Sequence, residues 1–205
     1  MGLAALAFSG SGIARAEYLE RPEAFQADGP YIHGASGMTF PTAVGDFKRG
    51  RLFRYDTAGL DVSAGYNWLG PAGPIVATVY VYPAGPSAAE GGAPPAAARA
   101  RWCADEFAAR QHEIVAVHPD AKLIQERDIL LARGDAPFPG KAASYRFEAM
   151  FAGRRRPVRS ELDIFCHVAG RWAFEYRFTF PDSPAAADLI ETFMRDLPWT
   201  IATKP

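Results

Sequence analysis

The stretch Ile75-Val-Ala-Thr-Val-Tyr-Val-Tyr82 carries the strongest structural signal in the chain. Nearly all of its residues are apolar or β-favouring, which is typical of a central strand covered on both faces. The breaker Gly70–Pro74 precedes it, so the start of the strand is well marked. A sheet with a layer on each face predicts a sandwich of helices around strands.

The segment Pro83–Pro95 follows this strand and is rich in Gly, Ala, Pro and Ser. It predicts a mobile loop, and loops longer than about 12 residues are uncommon unless they are functional or disordered. Two interpretations stay open, a lid over a site and a tolerated insertion. Ser87 and Glu90 are its only side chains suited to chemistry, which favours the insertion.

Alternation of apolar with polar residues predicts further strands on either side of this segment. Before it, Leu60–Trp68 alternates; after it, so do Ala143–Phe151, the stretch that bears Cys166, and the aromatic-rich Arg171–Phe180. The last three are joined by short turns and therefore predict an antiparallel meander. In total we expect about six or seven strands.

Two helices complete the pattern. One runs from about Pro95 to Val117 and stops at His118-Pro119. The other begins at Pro184, which Ser183 can cap, and ends at Leu197 before Pro198. The predicted fold class is α+β, with a twisted, mostly antiparallel sheet and helices on both faces.

This order of elements resembles the α/β/α sandwich of the PsbP-like superfamily. The features that carry the resemblance are Phe40-Pro41, the Ile75–Tyr82 strand before a helix, and the Tyr176–Phe180 strand that runs into Pro184–Leu197. The chain is also similar to short exported proteins of Gram-negative bacteria. The resemblance covers roughly residues 38–200 and implies a fold only, because no functional residue of the superfamily matches a motif here.

Composition limits the function classes. The chain has 205 residues, and 22 Lys and Arg against 23 Asp and Glu give a net charge of −1. Such a balance lacks the basic footprint expected of nucleic-acid or anionic-membrane binding. No window approaches the ~18 consecutive apolar residues of a membrane-spanning helix. We expect one domain over residues 38–200.

The N-terminus predicts export. An apolar patch over Leu3–Phe8 and an Ala14-Arg15-Ala16 site resemble a secretory signal peptide over residues 1–16 that is cleaved after Ala16. The positively charged n-region is missing, which points to a truncated or misassigned start; the alternative is a frayed, Ala-rich terminus. Residues 17–37 are expected to be a poorly ordered lead and residues 201–205 a tail. The predicted location is the periplasm or the exterior.

Cys103 and Cys166 are the two cysteines of the chain. Cys103 shares a helical stripe with Phe107 and Ile114, whereas Cys166 shares a strand face with Ile164. If that helix covers that sheet face, the two sulfur atoms could meet and form a disulfide. Disulfides persist in the oxidising compartments that exported proteins reach. The alternative is a pair of reduced core cysteines.

No motif assembles a catalytic, cofactor or metal site. The four histidines, His33, His112, His118 and His167, fit no metal-ligand spacing. Asp163 and His167 are the least implausible acid–base pair, but they are four residues apart on a strand and too distant for direct contact without a third element. No cofactor is expected.

The run Arg154-Arg155-Arg156, with Arg159, is the most conspicuous charge feature. It is a candidate binding site for a phosphate, a carboxylate or an anionic lipid, because guanidinium groups offer a planar fork of donors. The competing interpretation is a solvated hairpin tip that blunts a sheet edge. A charge run is usually a solvated face.

Three functional hypotheses follow. The first is a non-catalytic exported binding or accessory protein of the bacterial envelope, which offers a groove or a sheet edge to another envelope protein or a small ligand. The second is an unrecognised enzyme that acts on a small anionic substrate through Asp163 and His167. A purely structural partner in an oligomer is a third.

Overall fold

The computed structural model describes residues 17–71, 73–85, 94–133, 136–183 and 185–199. The strands are β1 (Tyr18–Phe25), β2 (Tyr31–Ile32), β3 (Thr39–Phe40), β4 (Ala43–Val44), β5 (Phe47–Asp56), β6 (Val62–Trp68), β7 (Ile75–Pro83), β8 (Lys122–Arg133), β9 (Ala136–Phe151), β10 (Arg154–Val168) and β11 (Trp172–Pro181). The helices are α1 (Ala96–Val117) and α2 (Ala185–Asp196). The expected signal peptide, residues 86–93 of the expected loop and the expected tail lie outside the described residues.

One large antiparallel sheet organises the molecule. Its strand order is β1-β5-β6-β7-β11-β10-β9-β8, with β4 paired to β5, while β2 and β3 form a separate two-stranded sheet. Strand β7 pairs with β6 on one side and β11 on the other, so the prediction of a central strand is confirmed. Strands β9, β10 and β11 form the expected antiparallel meander.

The predicted α/β/α sandwich with helices on both faces is wrong. Strands make up 54% of the described residues and helices only 20%, and the two described helices are too few to form helical layers over so large a sheet. Strand β7 shows this directly, because Val76 on one of its faces is 38% exposed.

On the main-core side of the sheet, aromatic side chains and the N-terminal segment cover much of the surface where we expect a layer of helices. In the main core, Met38, Phe40 and Val44, from the N-terminal segment, pack with strand residues such as Tyr66 and Phe178. Helix α2 adds Phe193, whose ring centroid lies 4.6 Å from that of Phe47. Aromatic side chains each bury a large apolar area, so this core needs no second helical layer.

The segment over residues 17–37, for which we expect a poorly ordered lead, contains strands β1 and β2. Strand β1 pairs with β5 at the edge of the sheet. His33 is completely buried; its Nδ1 lies 2.6 Å from the Ser36 hydroxyl and its Nε2 lies 2.9 Å from the Gly59 carbonyl oxygen. Burial lowers the pKa of His33, so the imidazole is neutral and can fasten this segment to the β5–β6 turn.

Candidate binding site

Helix α1 is fixed to the sheet at Cys103. The Cα atoms of Cys103 and Cys166 are 5.8 Å apart, and the sulfur atoms lie at disulfide distance. The prediction that helix and strand bring these residues together is confirmed. A disulfide-distance pair is consistent with an exported protein.

Helix α1 also buries Phe107 and Ile114 against strands β9 and β10. These residues form a second core cluster with Tyr145, Leu162 and Ile164. The cluster lies on the opposite side of the sheet from the main core, since Phe165 and Tyr176 belong to that core and their neighbours in sequence point the other way. The alternation of the strands therefore sets which residues α1 meets.

A polar network holds the middle of α1 to β7 and β11. The hydroxyl of Tyr82 donates to the buried carboxylate of Glu175 at 2.8 Å. Arg177 donates to Glu113 at 2.6 Å and also pairs with Glu175, while Arg110 pairs with both Glu106 and Glu113. The network has three carboxylates and two guanidinium groups, and each group has at least one partner of opposite charge, so the network ties the helix to the sheet.

Between α1, β8 and β9 lies an open groove of about 440 Å³. Its lining is mostly apolar and consists of Ala108, Gln111, His112, Val115, Ala121, Leu123 and Tyr145. Ala108 and Ala121 contribute small side chains to the lining, and the Tyr145 hydroxyl donates to the Gln111 side chain at 2.6 Å. Val115 is 39% exposed and Leu123 51% exposed, so apolar walls face solvent.

The outer edge of the sheet borders this groove. Strand β8 pairs with β9 on one side, and within the described residues no strand pairs with its other side. At the opposite end of the sheet, β1 contains Pro22, which has no N–H to donate and so blunts that edge. Strand β8 runs for 12 residues without a proline. It is therefore the edge open to pairing.

Charges interrupt β8 at its centre, where Glu126, Arg127 and Asp128 are exposed. Glu126 accepts a hydrogen bond from Gln111 at 3.2 Å, and Asp128 pairs with Lys141 at 2.9 Å. Asp128 is still 85% exposed. Glu126 and Asp128 lie on the α1 side of the sheet, since their partners Ala143 and Lys141 alternate with Ala142.

The structure does not bring Asp163 and His167 together. The register shifts between Phe165 and Val168, and His167 adopts a φ of 56°. Its Nε2 lies 3.1 Å from the Arg99 carbonyl oxygen of α1. Asp163 is on the other side of the sheet, pairing with Tyr176 of the main core. The two groups cannot share a proton across the sheet.

Asp163 is nonetheless unusual. It is 1% exposed, and its Oδ2 has no hydrogen-bond partner among the residues that the structure describes. Burial and the nearby Glu161 charge raise its pKa to about 7, opposed by Arg127. Within the described residues no three potential ligands converge into a metal site.

The basic run does not form a single patch. Arg154, Arg155 and Arg156 follow the β9–β10 turn and make no ion pair with the described residues. Alternation along β10 puts Arg154 and Arg156 on the α1 side and Arg155 and Arg159 on the other. Arg159 lies 3.9 Å from Glu161. The run is at a hairpin tip between interior strands, and its binding role stays a prediction.

Comparison with known proteins adds no family. No protein-family model matches the chain, and no curated protein matches it. The resemblance to PsbP-like proteins therefore stays a prediction. A membrane-crossing helix is absent from the described residues, because neither α1 nor α2 combines the required length and hydropathy.

Proposed function

We propose that this chain is a non-catalytic binding or accessory protein, exported to the periplasm or beyond, that holds another envelope component in the α1–β8 groove. The observation that carries the proposal is an apolar groove beside a strand edge that no other described strand pairs with. Concave apolar surfaces with a few polar groups are where proteins usually bind ligands. The disulfide-distance cysteines support export.

No observation favours the enzyme hypothesis at its stated residues. Asp163 and His167 are on opposite sides of the sheet, and an acid–base pair must be within hydrogen-bond reach of one substrate. The Arg110–Glu175–Arg177 network is satisfied by its own members. We therefore assign the groove a binding role.

Site-specific photocrosslinking tests the proposal. A photoreactive residue at Val115, inside the groove, is expected to give discrete adducts when the full chain is irradiated in a native envelope preparation. Leu69 is the matched control position, because it is apolar and exposed but outside the groove lining. The captured component is then purified and titrated against the chain.

Substitutions that fill the groove are the second test of the proposal. Ala108→Arg places a long side chain where the lining is smallest and should weaken binding of the purified component at least tenfold. Ala98→Arg, on an exposed position near the start of α1, should leave it unchanged. Equal crosslinking at Val115 and Leu69, or equal affinity of the two arginine variants, would refute the groove.

A further inference from the structure

We infer that the component bound at the groove is an extended polypeptide that joins the sheet as a strand beside β8 and carries apolar, basic, basic and apolar side chains at alternate positions. This inference rests on the proposed function and specifies its ligand class. Strand addition supplies main-chain hydrogen bonds for affinity, and alternate side chains supply specificity. The unpaired edge of β8 provides the first element.

The register of β8 gives the side-chain pattern. The β9 residues on the α1 side, Tyr145, Ala143, Lys141 and Pro139, face Leu123, Glu126, Asp128 and Leu130 of β8. A register shift between Leu123 and Gln125 absorbs the extra residue in the first interval. The α1 side of β8 therefore reads apolar, acidic, acidic, apolar. A strand added outside β8 meets these four side chains at alternate positions, which span seven residues.

Each end of the row is apolar and exposed. Leu123 lines the groove, and Leu130 is 66% exposed. An apolar side chain opposite Leu123 can reach over β8 toward Val115, whose side chain forms the groove wall. Cross-strand apolar pairs and opposite-charge pairs both stabilise sheets. The acidic centre selects a basic partner.

The β8 strand of a second copy of the chain does not offer basic side chains opposite both Glu126 and Asp128. Two identical β8 strands paired by a two-fold axis must align residues of the same side. A register centred on Glu126, Arg127 or Asp128 then places that residue opposite itself, and like charges directly opposite destabilise a sheet. The charged centre therefore opposes self-pairing in these three registers and favours a polypeptide with a basic centre.

The probe is a palindromic heptapeptide, LTKTKTL, whose Leu and Lys residues lie on one side in either strand direction. We expect saturable binding to the full chain by fluorescence anisotropy, and about tenfold weaker binding of LTETETL, because two exposed ion pairs together contribute about this factor. Glu126→Lys with Asp128→Lys should reverse this preference. Arg127→Glu, on the other side of β8, is the matched control and should preserve it.

A backbone test separates strand addition from side-chain docking. Single N-methylation along the heptapeptide should weaken binding at every second residue only, because alternate N–H groups of an added strand face β8. Uniform loss or no loss would overturn the inference. So would an unchanged charge preference in the double variant, or dimerisation of the chain through β8 in sedimentation experiments.

These outcomes separate the inference from the proposal on which it rests. Crosslinking at Val115 without saturable binding of LTKTKTL, or without loss of binding at every second N-methylated residue, would support binding at the groove. The same result would show that strand addition beside β8 is wrong. If Val115 crosslinks no more than Leu69, the proposed function itself fails.

Discussion

Replacing Asp163 with an asparagine should remove a pH dependence from the stability of this protein. Asp163 is 1% exposed, and one of its carboxylate oxygens lacks a partner in the described part of the chain. Burial raises its pKa to about 7, with a further contribution from Glu161, whereas an unfolded aspartate has a pKa of about 3.9. The folded state therefore binds the proton more tightly than the unfolded chain.

The sign follows from that difference. The stability contributed by the protonated carboxyl is complete below about pH 4 and is lost as the pH rises toward about 7. A difference of about three pKa units, at about 1.4 kcal/mol each, amounts to about 4 kcal/mol in the free energy of unfolding. The asparagine side chain cannot ionise, but its amide also lacks partners at this position, which costs about 1–3 kcal/mol.

Urea denaturation between about pH 5 and pH 8, with tryptophan fluorescence as the signal, measures the effect. We expect Asp163→Asn to gain stability relative to the parent chain as the pH rises, and to be more stable by about 1–3 kcal/mol at the alkaline end. Asp128→Asn is the control, because Asp128 is 85% exposed. The pKa of Asp61, raised to about 7 mainly by burial, leaves a residual slope in every variant. Parallel curves for Asp163→Asn and the parent chain would refute the reasoning.

Three further predictions concern the elements around the groove. Reduction, or Cys103→Ala with Cys166→Ala, should lower the free energy of unfolding by about 4 kcal/mol, because the bond closes a loop of 63 residues; urea curves with and without reductant measure this, and coincident curves for the parent chain would contradict it. Tyr82→Phe should cost about 1–3 kcal/mol by leaving Glu175 short of a donor, whereas Tyr18→Phe, at an exposed position, should cost less than about 0.5 kcal/mol. Urea curves of the two variants measure that difference, and equal losses would contradict it. Reversing the charges of Arg154, Arg155 and Arg156 should leave heptapeptide affinity within about twofold, since they lie at the hairpin tip; a larger change in the anisotropy titration would place the tip in the binding surface.

The predictable part of the fold is the part with one clear periodicity. Strand β7 is marked by a continuous β-favouring run, and the cysteine contact follows from one helical stripe and one alternating strand. Strand β1 gives no such signal, because six of its eight residues are exposed and none is buried, and Pro22 lies within it. An edge strand exposed on both sides has no reason to alternate.

The candidate site is harder to predict because tertiary packing, and not a local sequence pattern, brings its residues together. The groove depends on how closely α1 approaches β8, which no local pattern records. The polar network leaves a faint signal, since Glu175 and Arg177 alternate with aromatic residues along β11. Strict alternation misplaces His167 on the face opposite Cys166, whereas the irregularity before Val168 turns it toward α1.

The link between Cys103 and Cys166 closes a covalent ring, and most of α1, all of β8 and β9, and most of β10 lie inside it. Every residue of the groove lining belongs to that ring, whereas β1 to β7, β11 and α2 lie outside. The ring therefore constrains less than a third of the 205-residue chain, and that part includes the whole groove lining. Under the proposed export, the bond that ties α1 to β10 would form only after the chain leaves the reducing cytosol, and the proposed binding groove would gain this covalent constraint there.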